Sequence, residues 1–506
     1  METEIELKFF VSSDYSDVLV AKIAELKVLQ HSSRQLGNTY FDTSDNWLRQ
    51  HDIGLRIRRY DDVFVQTVKT AGRVVAGLHQ RPEYNAEHSC NTPNLTLHPA
   101  EIWPEGKSIE QLDVELMPLF STDFTREQWL VSMADGSQIE IAFDQGTVSS
   151  GDKQDLICEV ELELKSGQTD ALFTLARMIS EQGGVRLGNL SKAARGYRLA
   201  GDYTPEQVKS LPLVDTLSSD SVESCFIKSL EHGLSHWFYH EQIFVEQNSI
   251  PALDQIRQAI CFIRQTLAVY GNIVPRRASA ILRQELKWLE QELNWLKEYA
   301  YLDDLLKDKG HVLRKLDARK FLVKELQELQ NQLPDREENL KLLQSGRYVG
   351  LIIDLSRWIL SRGWQPFLDD KAKDKMAQAV GVFSVEQLEH SWGELLAVFP
   401  AEQTLSSAEY IEQQYNLTRN LYTGIGLASL YSTDNRNAFR LPWADLLHGI
   451  DNLLALKPLQ GLIEQLEGDE QEQLIRWLIR QETSILHAME QTKNIGLTAS
   501  PYWKAV

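Results

Sequence analysis

Two stretches far apart in the chain carry nearly the same pattern: Glu2-Thr3-Glu4-Ile5-Glu6-Leu7-Lys8 and Glu159-Val160-Glu161-Leu162-Glu163-Leu164-Lys165. At the two-residue period of a strand, each places three carboxylates and a lysine on one face and mainly aliphatic side chains on the other. Alternate side chains on a strand stand roughly 7 Å apart, so such a row offers hard oxygen ligands to Mg²⁺ or Mn²⁺ and ends in a point charge suited to phosphate. One row alone reads most simply as an amphipathic strand with its polar side in water. The recurrence is what constrains the fold.

The strands expected between the rows carry the opposite charge. Arg56 and Arg58 share a face against Leu55 and Ile57, Lys69 shares one with Val65 and Thr67, and Arg81 shares one with Glu83. Strand signals resume at residues 119–126, 128–133 and 137–145, where Glu140, Ala142 and Asp144 oppose Ile139, Ile141 and Phe143. A solvent face would mix signs within each strand to avoid repulsion. Segregated rows instead imply a sheet curled until the charged faces meet around a lumen. Unpaired charges taken out of water cost several kcal/mol each, so that lumen must hold water, metal ions and an anion. The aliphatic faces then point outward and need cover, supplied by helices expected at residues 14–30 and 170–182, while residues 91–117 cap or flank the sheet. Pro82 places its strand at an edge or a bulge.

Taken in order, Glu4-x-Glu6-x-Lys8, Arg56-x-Arg58, Lys69, Arg81-x-Glu83, Arg126, Asp144, the Glu159/Glu161/Glu163 row and Ser191-Lys192 resemble the CYTH or triphosphate tunnel metalloenzyme family, over about residues 1 to 200. The resemblance implies an α+β domain built on an eight-stranded antiparallel tunnel that binds triphosphates with a divalent metal. With the long helical region behind it, the chain looks most like bacterial inorganic triphosphatases of CYTH-CHAD arrangement. On that footing Lys8, Arg56, Arg58, Lys69, Arg81, Arg126 and Lys192 bind the phosphates. Glu4, Glu6, Glu161 and Glu163 hold Mg²⁺ or Mn²⁺ and, with Lys8, carry catalysis. Glu83, Asp144 and Glu159 ligate metal, orient water or pair with a neighbouring base. Arg59, Arg73 and Arg195 read as surface or pairing residues, and Trp47, Trp103 and Trp129 as packing residues. The stretch has neither a GxGxxG nor a GxxxxGK[ST] phosphate loop, as expected where side chains do the phosphate binding. Inorganic triphosphate as substrate rests on the resemblance. A phosphate-sensing module, an adenylate cyclase and a thiamine triphosphatase are the alternatives.

Beyond residue 202 the character changes. Residues 203–221 read as a linker, and residues 222–506 as an all-α domain with apolar residues at three- and four-residue steps. The stretch from Pro251 to Arg257 resembles a CHAD domain, a family with basic helix faces that bind polyphosphate, although Asp254 stands where that family typically shows histidine. Arg257, Arg264, Arg276, Arg277 and Arg283 are the candidate bases, with Arg347, Arg357 and Arg362 from a second helix pair.

At 506 residues the chain is too long for one core, and its net charge of -20 argues against nucleic-acid binding. No apolar run approaches a membrane span and the N-terminus opens acidic, so the expectation is a cytoplasmic protein without membrane or nucleic-acid partners. Cys90, Cys158, Cys225 and Cys261 show no metal-binding spacing and are expected to be reduced core residues.

Overall fold

A computed structural model describes residues 2–201 and 203–504, leaving aside the side chains of Glu2, Asp308 and Lys309. Among the described residues ten strands form in chain order: β1 (Glu2–Val11), β2 (Val28–Asp42), β3 (Gly54–Tyr60), β4 (Val63–Lys69), β5 (Arg73–Val75), β6 (Leu78–His88), β7 (Met117–Ser132), β8 (Gln138–Ser150), β9 (Lys153–Ser166) and β10 (Val185–Leu187). Neighbours run β1-β9-β8-β7-β2-β3-β4-β6, and β6 pairs back to β1, which closes an eight-stranded barrel with β5 and β10 as short additions. Every pairing is antiparallel.

The barrel wall follows the predicted alternation. Leu55 and Ile57 of β3 face outward into a cluster with Phe41, Leu48, Leu95 and Leu112. Each is about 1% exposed, and burial at that level contributes roughly 1.5–3 kcal/mol per side chain. Residues 91–116 supply that cover. They end in a helix, Ile109–Glu115, whose start is fixed by a reciprocal Ser108–Gln111 cap. Trp47 and Trp103 pack in the same cover and Trp129 stacks on His31, so all three are packing residues. On the opposite flank the helix Thr169–Ser180 lies on β1 and β9.

Several elements differ from the sequence expectation. The first helix spans only Ser16–Ala24, and Leu29 belongs to β2, where it is exposed. Residues 117–132 form one long strand rather than two. Pro82 lies on no sheet edge. It sits where the partner of β6 changes from β4, which ends at Lys69 opposite Glu83, to β5, which begins at Arg73 opposite Gln80; there the missing N–H leaves no gap in the ladder. All four cysteines are free, but Cys90 is exposed and only Cys225 is fully buried.

The largest departure is inside the barrel. The helix Lys192–Ala200 packs against the lumen-facing side of β7, β8 and β9 and plugs one end of the tunnel. Its Ala193, Tyr197 and Leu199 join a cluster with Leu36, Tyr40, Phe120, Phe124, Val148 and Ile157, all from the inward face. Gly196 permits the approach, since a Cβ there would lie 2.0 Å from the Phe120 ring. Tyr197 donates a 2.7 Å hydrogen bond to Asp42, whose carboxylate also accepts from the backbone N–H groups of Leu48 and Arg49.

The chain divides into two compact units, and the barrel unit takes in Leu340–Arg362 as well as the residues up to Glu206. The second unit is helical, with Val222–Gln247 packed on Ile250–Val269 and a leucine core that includes Leu302, Leu322, Leu326, Leu459 and Leu474. The helix Thr433–Ala455, with Pro442 inside it, escaped the periodicity reading. The expected linker is tied down: Lys209 N–H donates to His240, and Tyr239 donates to the Gln207 carbonyl.

Replacing Gly196 by valine should force the plug helix off Phe120. The expected cost is about 1–3 kcal/mol for overpacking, read as a lower urea midpoint for the barrel's unfolding transition.

Candidate functional site: a two-level charged tunnel

The register of the barrel fixes which side chains meet. In the β1–β9 pair Lys8 stands opposite Glu161, and Glu6 opposite Glu163. In β3 the pairing sets Arg56 beside Tyr40 and Arg58 beside Asn38 of β2. A cavity of about 250 Å³ results, with Glu4, Glu6, Lys8, Arg56, Arg58, Lys69, Arg81, Glu83, Arg126, Glu161, Glu163 and Lys192 on its wall. Every substrate-binding candidate from the sequence therefore reaches one lumen. Asp144 and Glu159 lie beneath it, both fully buried.

Its floor is neutralised. Arg126 grips Asp144 through two hydrogen bonds of 2.7 and 2.6 Å and reaches Glu161 at 2.9 Å. Lys192 lies 2.6 Å from Asp144, 2.5 Å from Glu159 and 3.1 Å from Glu161. Lys8 lies 2.8 Å from Glu161 and 3.3 Å from Glu159. Ligand oxygens of Asp144, Glu159 and Glu161 come within 4.8 Å of one another, a spacing that could hold a metal. Lys8, Arg126 and Lys192 already occupy that triad, with Arg195 3.6 Å from Glu159, and a divalent ion would have to displace them against strong local attraction. Burial opposes the charge on Glu161, but Lys192, Lys8 and Arg126 hold its carboxyl well below the usual range.

Above the floor the walls are not balanced. Glu6 has no hydrogen-bonding or ion-pairing partner among the described residues. Burial, then the charges of Glu161 and Glu4, push its carboxyl up to about 7. Burial does the same to Glu163, up to about 7, against its hydrogen bond from Lys165, with Glu4 and Glu140 adding to the rise. Across the lumen, burial and then the neighbouring Arg56 and Arg126 depress Arg58 to about 9. The Nε of Arg56 is buried without a partner. Glu4 and Glu83 are better served, since Lys69 pairs with both and lies 2.9 Å from Glu83. Despite burial, Lys69 and Arg56 hold Glu83 at about 2. One wall thus carries surplus carboxylate and the other surplus guanidinium.

Among the candidate metal ligands, Glu4, Glu6 and Glu163 suit a hard divalent cation best. Their donors are all carboxylate oxygens, they lie on the wall of the cavity, and Glu6 is unpaired. Arg81 reaches the rim and donates to the backbone carbonyls of Thr70 and Asp52, which leaves it less to offer an anion.

Some site residues carried no recognised signal. Glu140 lies on the β8 face of Asp144, where the alternation places it, and the structure adds it to the cavity wall. His79 shares the phase of Arg81 and Glu83; its Nε2 is buried without a partner, and burial with Lys8 and Arg81 nearby lowers it to about 4. Tyr40 and Asn38 are uncharged, and only the β2–β3 register reveals them. Burial alone would raise the Tyr40 phenol, yet the adjacent Arg56 lowers it.

The fold and the lumen define a charged, closed tunnel with a helical region behind it, and the comparisons agree. Residues 2–197 match the model of the CYTH domain and residues 228–453 that of the CHAD domain. It is similar to an inorganic triphosphatase of Haemophilus influenzae, at 40% identity over 204 residues that make up 39% of this chain and 55% of that protein. The chain thus spans about half the length of the curated relative it matches. Among solved structures, a Hippeastrum protein described as an adenylyl cyclase with a dominant triphosphatase activity is 18% identical, covering 38% of this chain and 95% of its own with a TM-score of 0.28. The CHAD domain of Ricinus communis is 20% identical, covering 57% of this chain and 96% of its own with a TM-score of 0.43.

The raised carboxyls give a pH signature. Folded values near 7 for Glu6 and Glu163 exceed the ordinary carboxyl value of 4.5. The folded metal-free protein therefore binds extra protons between those limits, and its stability falls as pH rises through that window. Metal binding at pH 6 should release protons and at pH 8 release almost none. Titration calorimetry in buffers of different ionisation enthalpy measures the difference.

Proposed function

We propose that this protein hydrolyses inorganic triphosphate to pyrophosphate and phosphate within the tunnel, with Mg²⁺ or Mn²⁺, in the cytoplasm. The observation that carries the reading is the paired imbalance of the walls. Arg58 has no ion-pair partner among the described residues and Arg56 leaves its Nε unpartnered, while Glu6 is unpaired and Glu163 has Lys165 alone; a metal-bound phosphate chain would supply both signs at once. The Haemophilus relative, named an inorganic triphosphatase, supports the choice of substrate.

In this reading Arg56, Arg58 and Lys69 spread the substrate's charge over fork and point donors and hold the chain in line for attack by water on the terminal phosphorus. The new bond is water oxygen to phosphorus; the bond to the bridging oxygen breaks, and pyrophosphate leaves. Glu4, Glu6 and Glu163 would hold the ion, which when bound neutralises phosphate oxygens and acidifies a water. The floor pairs of Lys8, Arg126 and Lys192 keep Glu161 and Asp144 charged and fixed, so those acids set the shape of the site.

Phosphate release from tripolyphosphate and Mg²⁺ tests this. Glu6→Gln should lower turnover at limiting Mg²⁺ by at least ~10-fold. Arg58→Ala should weaken kcat/KM by at least ~1.5 kcal/mol, about tenfold, the low end for a charge-assisted bond. Tight binding without turnover by the parent protein would favour a sensor, and cyclic AMP from ATP would favour a cyclase.

A second ligand is favoured in the helical unit by one observation. Arg257, Arg264, Arg276 and Arg283 converge on a single cavity of about 1160 Å³, together with Lys287, Lys297 and Arg419. Arg257 is spent on Asp254 at 2.8 Å and Arg264 pairs with Glu290, whereas Arg276 and Lys287 have no ion-pair partner among the described residues. Arg277 lies over Phe367 instead, and Arg347, Arg357 and Arg362 fall in the segment that belongs to the barrel unit. Polyphosphate is the proposed occupant. In an Arg58→Ala background, Arg276→Glu with Lys287→Glu should weaken polyphosphate binding at least ~10-fold by calorimetry; unchanged affinity would remove the cavity from the account.

A further inference from the structure

The barrel unit contains a piece of chain that the sequence assigns to the helical half. The helix Gly346–Leu360 packs on Thr169–Ser180 and against β10, and the chain enters and leaves the barrel unit at 339/340 and 362/363. Two ion pairs set its register: Arg357 donates to both oxygens of Asp170, at 2.6 and 2.5 Å, and Arg177 lies 3.5 Å from Asp354. Two glycines set its closeness. A Cβ on Gly346 would lie 2.0 Å from the Glu181 carbonyl oxygen, and one on Gly350 would strike the Arg177 guanidinium.

What this segment touches next leads to the tunnel floor. The Gln344 carbonyl accepts from the N–H of Gly184 at 2.9 Å. Gly183 and Gly184 are both left-handed, at φ of 81° and 75°, and Gly184 also accepts from Ser12 N–H. The chain then forms β10 against Phe9–Val11, and Gly188 N–H donates to the Lys8 carbonyl at 2.8 Å. Three residues later Ser191 caps the plug helix, and Lys192 follows in the floor. A glycine pair has no side chain to hold its own conformation, so an outside acceptor at Gly184 fixes where the segment leading to Lys192 begins.

Resting on the triphosphatase reading, we infer that Leu340–Arg362 is a strap that positions Lys192, with Asp170, Arg177, Asp354 and Arg357 as positioning residues for the tunnel reaction. The strap contributes no atom to the substrate. It holds the turn from which β10, the β1 register and the plug helix all follow.

The test uses the full chain. Gly346→Leu lifts the strap from Glu181, and Asp170→Arg or Arg357→Asp each places like charges together, while the two reversals combined restore opposite charges in exchanged positions. Amide exchange at Gly184 and Gly188 should accelerate at least ~10-fold in Gly346→Leu and in each single reversal, and recover in the double variant. The kcat/KM for tripolyphosphate should fall in parallel, measured well below the unfolding temperature. Unchanged exchange at both amides would overturn the strap. Faster exchange with parental kcat/KM would overturn its effect on Lys192. If the parent protein hydrolyses no tripolyphosphate, the triphosphatase reading fails by itself and the exchange measurement still decides whether the strap holds the turn.

Discussion

The structure depends on neutralising carboxylates that barrel closure has removed from water. Asp144 and Glu159 are fully buried, and Glu161 stands beside them. Unpaired, each would cost several kcal/mol. Lys8 from β1, Arg126 from β7 and Lys192 with Arg195 from the plug helix answer them. The cations come from three different elements, so the same contacts that balance charge also pin β1, β7, β8, β9 and the plug to one another. The floor cluster is thus a closure device as much as a part of the site.

That accounting explains why the walls above can remain unbalanced. A tunnel with surplus acid on one side and surplus base on the other is a poor resting state, and its cost is visible in carboxyls held near 7 and a guanidinium lowered to about 9. The folded state tolerates this because the floor acids are ion-paired within the protein, although Glu159 Oε2 is buried without a hydrogen bond and has only Arg195, at 3.6 Å. Stability and ligand affinity are separated by level: pairs below are satisfied within the protein, and groups above are left for what enters.

The alternation of the two acidic rows and of Arg56/Arg58 was legible because a strand's period is two and barrel closure preserves it; Glu4, Glu6, Lys8, Arg56, Arg58, Lys69, Arg81, Glu83, Glu159, Glu161 and Glu163 lie on or beneath the lumen, and the side chain of Glu2 lies outside the described residues. Four things were not legible. The plug helix reads as a basic cluster because its Lys192 and Arg195 are conspicuous, whereas the feature that lets it enter the barrel is the small Gly196 beneath Phe120. Tyr40 and Asn38 depend on which residue of β2 faces which of β3, and a single strand cannot reveal register. The strap depends on contacts across more than 150 residues, such as Asp170 with Arg357, and an ion pair in sequence looks like any solvated face. The division of the acids into a satisfied floor and an expectant wall was equally hidden, because composition records charges and not their partners.

Charge at the scale of the whole chain sharpens the reading of the tunnel. A net charge of -20 sets a repulsive field for any polyanion approaching from solvent. The bases proposed to bind one, Arg56, Arg58 and Lys69, stand on the wall of the lumen. A bare triphosphate meets that field at full charge and, once inside, satisfies only the arginine wall, leaving Glu6 and Glu163 facing further negative charge. A triphosphate already carrying a divalent ion is repelled less and presents both signs to walls that want both. The same protein can therefore be acidic outside and selective for a polyanion within. On the proposed function the selection would fall on the metal complex, because neither wall can be satisfied without worsening the other unless cation and anion arrive together.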